Sequence, residues 1–434
     1  MTQTMDANDI KRVNSLWGKV YPYLASQVMD SYRRDSGSVL ELGPFSGGIS
    51  RELARLYPGL NITIADELPR GDSRFDLIIF RGAFFFLNEK KNLLREVFRV
   101  LKAGGLAFVG GGYGKGIPQE IIDEIADESR ELNEKLGRRW VSIEELEELI
   151  RKSGLTDHCQ IEEEGGVWLV IRKPIGFRQA FGIHRGEVIS LVGGGGKTTL
   201  MFALAHELEA TGERVVSTTT TKILEPSDSE TFLILEPDEE KMLARLISEL
   251  EEHRHITLAT ERLPSGKLNG ISPEMVTRLA ELKSVPYVIV EADGAAQKPI
   301  KAPNATEPVI SESVSLVVPV VGIDALGCRL AEDNVFRPEI VSRLTGLSPG
   351  GTISVDTIAT LITHPQGIIK GSPAHARIIP LINKVDLVQD LSSAEDVASK
   401  ILEKGHPQIK RVILGQVQLT EPVVRVVLAT GIGT

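Results

Sequence analysis

Four consecutive glycines, a lysine and two threonines separate an apolar run from an amphipathic stretch in SLVGGGGKTTLMFALAHEL, residues 190–208. Glycine loses the most conformational freedom on folding and has no side chain to pack, so such a run persists only where bare backbone is needed. At the start of a helix, bare backbone brings N–H groups and the positive end of the helix dipole onto an anion. Gly193, Gly194, Gly195 and Gly196 supply that turn. Lys197 adds a point charge for outer phosphates, Thr198 a hydroxyl for Mg²⁺, and Thr199 continues the first helical turn. Met201, Leu204, Ala205 and Leu208 fall on one face of the following helix, the spacing that packs against a sheet. A strand, a polyphosphate-binding turn and a helix in succession constrain this part of the chain to an α/β fold.

A chain of 434 residues, 42% apolar and 25% charged, is long enough for two or three domains of ordinary globular composition. No apolar run reaches the roughly 18 residues that span a bilayer, and the stretch MTQTMDANDIKRVN lacks the blocks of a signal peptide, so a cytosolic protein with no membrane association is expected. The net charge of −10 disfavours a general nucleic-acid surface. Cys159 and Cys328 stand far apart with no metal-ligand spacing, which predicts two reduced thiols rather than a disulfide or zinc site.

Up to about residue 173, apolar strands alternate with amphipathic helices: SVLELG, ISRELARLY, NITIAD, RFDLIIF, NLLREVFRVL, LAFVGGG and SIEELEELIRKSG, closed by a hairpin over CQIEEEGGVWLVIRK. KPIGFRQAFGIHRGE, with a proline and three glycines, marks a boundary, and 174–185 is read as a linker. A second alternation fills 186–434, with VISLVG, RVVSTTTT, TFLILE, HITLAT, VPYVIVEADG, VSLVVPVVG and RIIPLINKVD as buried strands. The expected architecture is α/β in two domains, a reduced Rossmann-like sheet over 1–173 followed by a doubly wound, phosphate-loop sheet over 186–434.

Three features downstream of the glycines fit a nucleotide. VIVEADG ends a strand in carboxylates, where Asp293 or Glu291 can hold Mg²⁺, with Thr198 and Asp293 read as the metal pair. The threonine tract 218–221 lies at a strand end, the edge where ligands bind in such sheets. INKVD sets Asn383, Lys384 and Asp386 in the NKxD arrangement, in which the Asp carboxylate accepts from the guanine amino and imino groups and so favours GTP over ATP. The loop departs from GxxxxGK[ST], because Leu191 occupies the first position; GGxGKTT resembles the loop of dimerising ATPases and signal-recognition and metal-insertion GTPases. Many of those carry a lysine where this chain has Val192, so a cationic finger from elsewhere in the chain, or from a second copy in a homodimer, is an open requirement.

LVGGGGKTTLM, TTTTKI, VEADGAAQKPIKAP, EPVI, VVGIDALG, FRPE, HPQGIIKGSP and INKVD occur in that order, and on them the second half resembles the YqeC family. The resemblance implies a role in maturing selenium-dependent molybdenum hydroxylases or their cofactor, with such a hydroxylase or its maturation proteins as partners. On EADGAAQKPIKAP it makes Asp293, Lys298 and Lys301, beside Lys197, the candidates for the working loop, since lysines near a phosphate site bind anions or stabilise transferred charge. Asp324 and Arg337 are weaker candidates, and His364 and His375 read as ordinary loop histidines.

VLELGPFSGG before a helix resembles motif I of class I S-adenosylmethionine-dependent methyltransferases, with Glu41, Gly43 and Gly47 matching and Phe45 in place of the middle glycine. That resemblance, spanning 36–172, makes S-adenosylmethionine a cofactor, Glu41 the partner of its amino group and Asp66 the partner of its ribose. Only seven residues separate Asp66 from RFDLIIF, too few for the helix and strand that complete the adenine side. Either the edge unit is missing, or NITIAD is followed by a third-strand region with the second strand's unit lost and Asp66 facing adenine. Tyr113 in GGGYG is a candidate for orienting an acceptor. A nicotinamide-binding Rossmann domain is the competing reading, but GxGxxG is lacking. Together these readings give a nucleotide-dependent accessory protein; the rivals are a small-molecule methyltransferase with a regulatory phosphate-loop domain and a non-catalytic nucleotide-binding chaperone.

Overall fold

A computed structural model describes residues 15–85, 92–126 and 141–429. The stretch 1–14 and the end of the FDLIIFRGAFFFL run, 86–87, lie outside the described residues. The chain forms two units, Met1–Pro174 and Ile175–Thr434.

In the first unit, α1 (Tyr21–Tyr32) precedes β1 (Ser36–Leu42), α2 (Gly48–Leu56), β2 (Gly59–Ala65), β3 (Phe75–Arg81), α3 (Leu93–Val100), β4 (Leu101–Gly112), α4 (Ile143–Ser153), β5 (Cys159–Glu162) and β6 (Gly166–Arg172). The sheet runs β2-β1-β3-β4-β6-β5, parallel up to β4 and antiparallel at β6 and β5. Continuous apolar runs such as FDLIIFR make β3 buried on both faces. Helix α4 begins as expected, with Ser142 and Glu145 closing a capping box.

β2 pairs with β1 along all seven residues, from Ser36 with Gly59 to Leu42 with Ala65, so NITIAD is the strand beside the central one and the unit lacking is the edge beyond it. The alternative in which the second strand is lost is thereby corrected. Among the described residues no further strand pairs with β2, and its Ile64 is 54% exposed.

The second unit starts earlier than expected. Residues 175–185 are not a linker: α5 (Phe177–Phe181) caps its first turn with the Glu207 carboxylate, which accepts from Phe177 N at 2.6 Å and Arg178 N at 3.0 Å, and Phe177 and Phe181 are fully buried in this unit's core. Apolar spacing in FRQAFGI outweighs the glycines that suggested a boundary.

There follow β7 (Glu187–Gly193), α6 (Lys197–Ala210), β8 (Val215–Thr219), β9 (Phe232–Leu235), α7 (Glu239–Glu249), β10 (His255–Ala259), α8 (Pro273–Glu281), β11 (Tyr287–Glu291), β12 (Leu316–Gly322), α9 (Pro338–Thr345), α10 (Val355–Thr363), β13 (Leu381–Asn383), α11 (Ser392–Glu403), β14 (Arg411–Gly415) and β15 (Val423–Leu428). Their order is β9-β10-β8-β11-β7-β12-β13-β14-β15, parallel throughout except for β15. One strand was expected over RIIPLINKVD; Pro380 divides it, and Arg377–Ile378 pairs with β12 separately from β13. β7 is central, with the carboxylate-bearing β11 on one side and β12, then β13, on the other.

Candidate functional site

The glycine loop joins the end of β7 to α6, at the carboxyl edge where ligands meet such sheets. Gly195 (φ +75°) and Gly196 (φ +117°) hold left-handed backbone; a Cβ on Gly195 would lie 2.2 Å from Gly322 N, and one on Gly196 2.7 Å from Asn383 Nδ2. The first three glycines shape the loop instead of presenting donors. Gly193 N donates to Asp293 Oδ2 at 3.1 Å, Gly194 N to Val320 O at 2.9 Å and Gly195 N to Lys298 O at 3.0 Å. Donors toward an anion then come from the first turn of α6, at Lys197, Thr198 and Thr199, where a helix has no i−4 carbonyl to offer.

Lys197 is buried, with Nζ donating to Gly193 O at 2.6 Å and lying 3.2 Å from Asp293 Oδ1 and 3.6 Å from Glu291 Oε1. Burial pulls its pKa down, yet the two carboxylates outweigh burial and leave it above the ordinary lysine range. Burial raises the Glu291 carboxyl, with Lys197 and the Thr198 hydroxyl opposing. Glu291 and Asp293 are two apart, hence on one face of the extended chain. Thr198 Oγ1 donates to Glu291 Oε2 at 2.6 Å, so Glu291, and not Asp293 as expected, meets the threonine of the metal pair. Asp293 instead braces the loop backbone. The threonine tract locks β11 in place, as Thr219 Oγ1 donates to Glu291 O at 2.7 Å and Thr220 Oγ1 to Val309 O at 2.7 Å.

The two lysines of EADGAAQKPIKAP part company. Lys301 is fully buried, its Nζ 3.0 Å from Asp293 Oδ2, 2.6 Å from Gly294 O and 3.0 Å from Glu307 Oε2. Arg337 extends the chain of charges, 2.7 Å from Glu307 Oε2. Burial alone would raise the Glu307 carboxyl; Arg337 and Lys301 hold it below the usual range. Lys298 turns away, its Nζ donating to Asp333 O at 2.8 Å, so only its carbonyl touches the loop.

On the other side of β7, Asn383 ties β13 to the loop. Its Nδ2 donates to Gly195 O at 2.8 Å, and its Oδ1 accepts from Val417 N at 3.1 Å. Lys384, in left-handed backbone at φ +64°, reaches Asp324 Oδ2 at 2.7 Å. Asp324 thus joins the site through Lys384, while Asp386 is exposed on the turn Val385–Leu387.

In the first unit, Gly43 N donates to Ala65 O at 2.8 Å, which draws the loop after β1 over the end of β2, and exposed Asp66 follows directly. Glu41 is fully buried: Oε2 accepts from Ser50 N at 2.8 Å in the first turn of α2, and Oε1 has no hydrogen-bond partner. Gly47 is the residue from which α2 starts. The sequence did not single out Arg81. It ends β3, donates to Tyr21 OH at 3.1 Å and Phe45 O at 2.9 Å, and lies 5.0 Å from the Trp17 ring centroid. Phe45, Tyr21 and Trp17 gather around one guanidinium, and Tyr113 stacks on Trp17 with centroids 5.1 Å apart.

Comparison with known proteins follows the two units. The family model "Methyltransferase domain" matches residues 40–109, and the model "YqeC protein" matches residues 189–339. Among solved structures, the first unit is similar to a protein assigned as an S-adenosyl-L-methionine-dependent methyltransferase from Methanococcus maripaludis, at 22% identity, 40% of this chain, 97% of that one and a TM-score of 0.33. Human N-acetylserotonin methyltransferase, solved with S-adenosylmethionine, is 16% identical over 38% of this chain and 54% of its own, with a TM-score of 0.27. The Escherichia coli K12 protein YqeC, itself uncharacterized, is 31% identical over 234 residues, 54% of this chain and 89% of that relative. The glycine loop, the EADG carboxylates and the buried Lys301 all fall inside the matched region, and with that degree of identity over nearly the whole of the relative the chain belongs to the YqeC family, here carrying a methyltransferase domain ahead of it.

Proposed function

We propose that the second unit binds a guanine nucleoside triphosphate with Mg²⁺, that the first holds S-adenosylmethionine, and that the chain serves in the cytoplasm as an accessory protein in maturing a selenium-dependent molybdenum hydroxylase or its cofactor. The observation that carries the nucleotide reading is the pairing on both sides of β7: Thr198 with Glu291, and Asn383 with Gly195. It sets a hydroxyl–carboxylate pair suited to a hard cation and a base-reading turn against the same glycine loop.

The residues fit such a ligand. The loop is closed to side chains at Gly195 and Gly196, the first turn of α6 presents N–H donors, and Lys197 has two carboxylates to leave when a more negative group arrives. Mg²⁺ supplies charge neutralisation between phosphate oxygens when bound. Thr198 and Glu291 hold the metal side, Asp293 keeps the loop shaped through Gly193 N, and Lys301 holds Asp293 in place. Asn383 positions the turn that carries Asp386, whose carboxylate accepts from guanine. In the first unit the unpartnered Glu41 Oε1 suits the ammonium of the cofactor's amino-acid end, and Asp66 the ribose hydroxyls. The pathway and its partners rest on membership of the family.

Calorimetric titration of the full chain with Mg·GTP tests the nucleotide reading. Lys197→Ala is expected to weaken binding at least about tenfold, the worth of one charge-assisted hydrogen bond. Unchanged affinity in that variant, or no binding by the parent chain, contradicts it.

A further inference from the structure

At the far end of the helix that opens with Lys197, His206 and Glu209 stand three residues apart and so share a face of α6. His255, the first residue of β10, sets its ring edge-on to that of His206, with centroids 5.7 Å apart. One ligand atom each from His206, Glu209 and His255 lies within 4.8 Å of the others. Both imidazoles also converge on one carbonyl: His206 Nε2 is 2.7 Å and His255 Nδ1 3.1 Å from Glu230 O. These are hydrogen-bond distances, so one carbonyl acceptor holds both rings beside each other at the cluster.

The outer partners fit as well. His255 Nε2 lies 2.9 Å from Ser217 Oγ, which is itself 2.6 Å from Thr257 Oγ1, so the nitrogen facing away from the cluster has a hydroxyl to receive its proton. A ligating histidine commonly donates its second N–H in this way, which fixes ring and tautomer.

We propose that His206, Glu209 and His255, with the Glu230 carbonyl facing them, bind a divalent transition-metal ion of the zinc class. On binding, each ring carries its proton on the nitrogen away from the ion, that of His255 being donated to Ser217. The site is separate from the nucleotide loop. His255 is level with Val215 at the start of β8, whereas the glycine loop follows the last residue of β7. The ion therefore ties the far end of the phosphate-loop helix to the starts of two strands, a bracing role that does not depend on which nucleotide the loop takes.

The test uses the full chain stripped with a chelator and titrated with ZnCl₂ by calorimetry, then with CoCl₂ by visible absorption. The expected result is one ion per chain, cobalt bands of a four-coordinate centre, and affinity lowered at least about tenfold in His206→Ala and in Glu209→Gln with unchanged far-ultraviolet circular dichroism. These two variants are chosen because the buried His255 contributes to the fold itself. Failure of the parent chain to take up a stoichiometric ion, or uptake undiminished in His206→Ala, overturns the proposal; the latter would place the ion on one of the chain's other histidines.

Discussion

Lys301 and Lys298 are three residues apart in one motif and have opposite roles. A fully buried ammonium between Asp293 and Glu307 cannot be removed without leaving the buried Asp293 carboxylate to Lys197 alone and the half-buried Glu307 to Arg337. Lys301→Met is expected to cost about 3–5 kcal/mol in urea unfolding, whereas Lys298→Ala should stay within about 0.5 kcal/mol. Equal effects would show that the buried charge chain is not what holds the loop. His255 gives a second residue-scale expectation. Its folded pKa of about 4 lies below the ordinary 6.5, so the unfolded chain binds more protons between those values. The contribution is present above pH 6.5 and is lost as pH falls toward 4, by about 3 kcal/mol in all. Urea midpoints of the metal-free chain should fall across that window, and less steeply in His255→Gln. Glu41→Ala should weaken S-adenosylmethionine binding at least about tenfold in calorimetry, through loss of one charge-assisted contact; no change would remove Glu41 from the cofactor site.

At the scale of elements, the strand–loop–helix at 187–210 was the most legible part of the chain, because few backbones require four glycines before Lys-Thr-Thr. Which glycines donate was not legible, since that depends on Val320, Lys298 and Asp293 arriving from segments a hundred or more residues away. Gly195→Ala tests the element directly: φ of +75° and a Cβ 2.2 Å from Gly322 N should abolish Mg·GTP binding, with the loss of stability visible as a lowered unfolding midpoint. The choice between Glu291 and Asp293 was hidden for a related reason, as both lie on one face of the chain and only the position of α6 decides which reaches Thr198. In the first unit, the short span from Asp66 to β3 announced a missing piece, but only strand pairing shows it to be the edge beyond β2. The helix at 177–181 was masked by the glycines around it, and the histidine pair by the 48 residues between His206 and His255.

For the whole molecule, the alternation of strands and helices sufficed to read two α/β units, and the order of the second sheet explains why its motifs lie so far apart in sequence. β11, β7, β12 and β13 are neighbours in the sheet, although their sequence order is β7, β11, β12, β13, and this brings EADG, the glycine loop, Asp324 and NKVD to a single edge. In the proposed reading this edge selects guanine. A carboxylate at Asp386 accepts from the amino and imino groups of guanine; xanthine carries a carbonyl in place of the amino group and calls for a donor there instead. Mg·GTP, Mg·ATP and Mg·XTP should therefore be titrated into the parent chain and into Asp386→Asn. The parent is expected to prefer GTP to ATP, and Asp386→Asn to lose GTP at least about tenfold while gaining XTP. Equal binding of GTP and ATP by the parent, or an Asp386→Asn profile identical to it, would contradict the account.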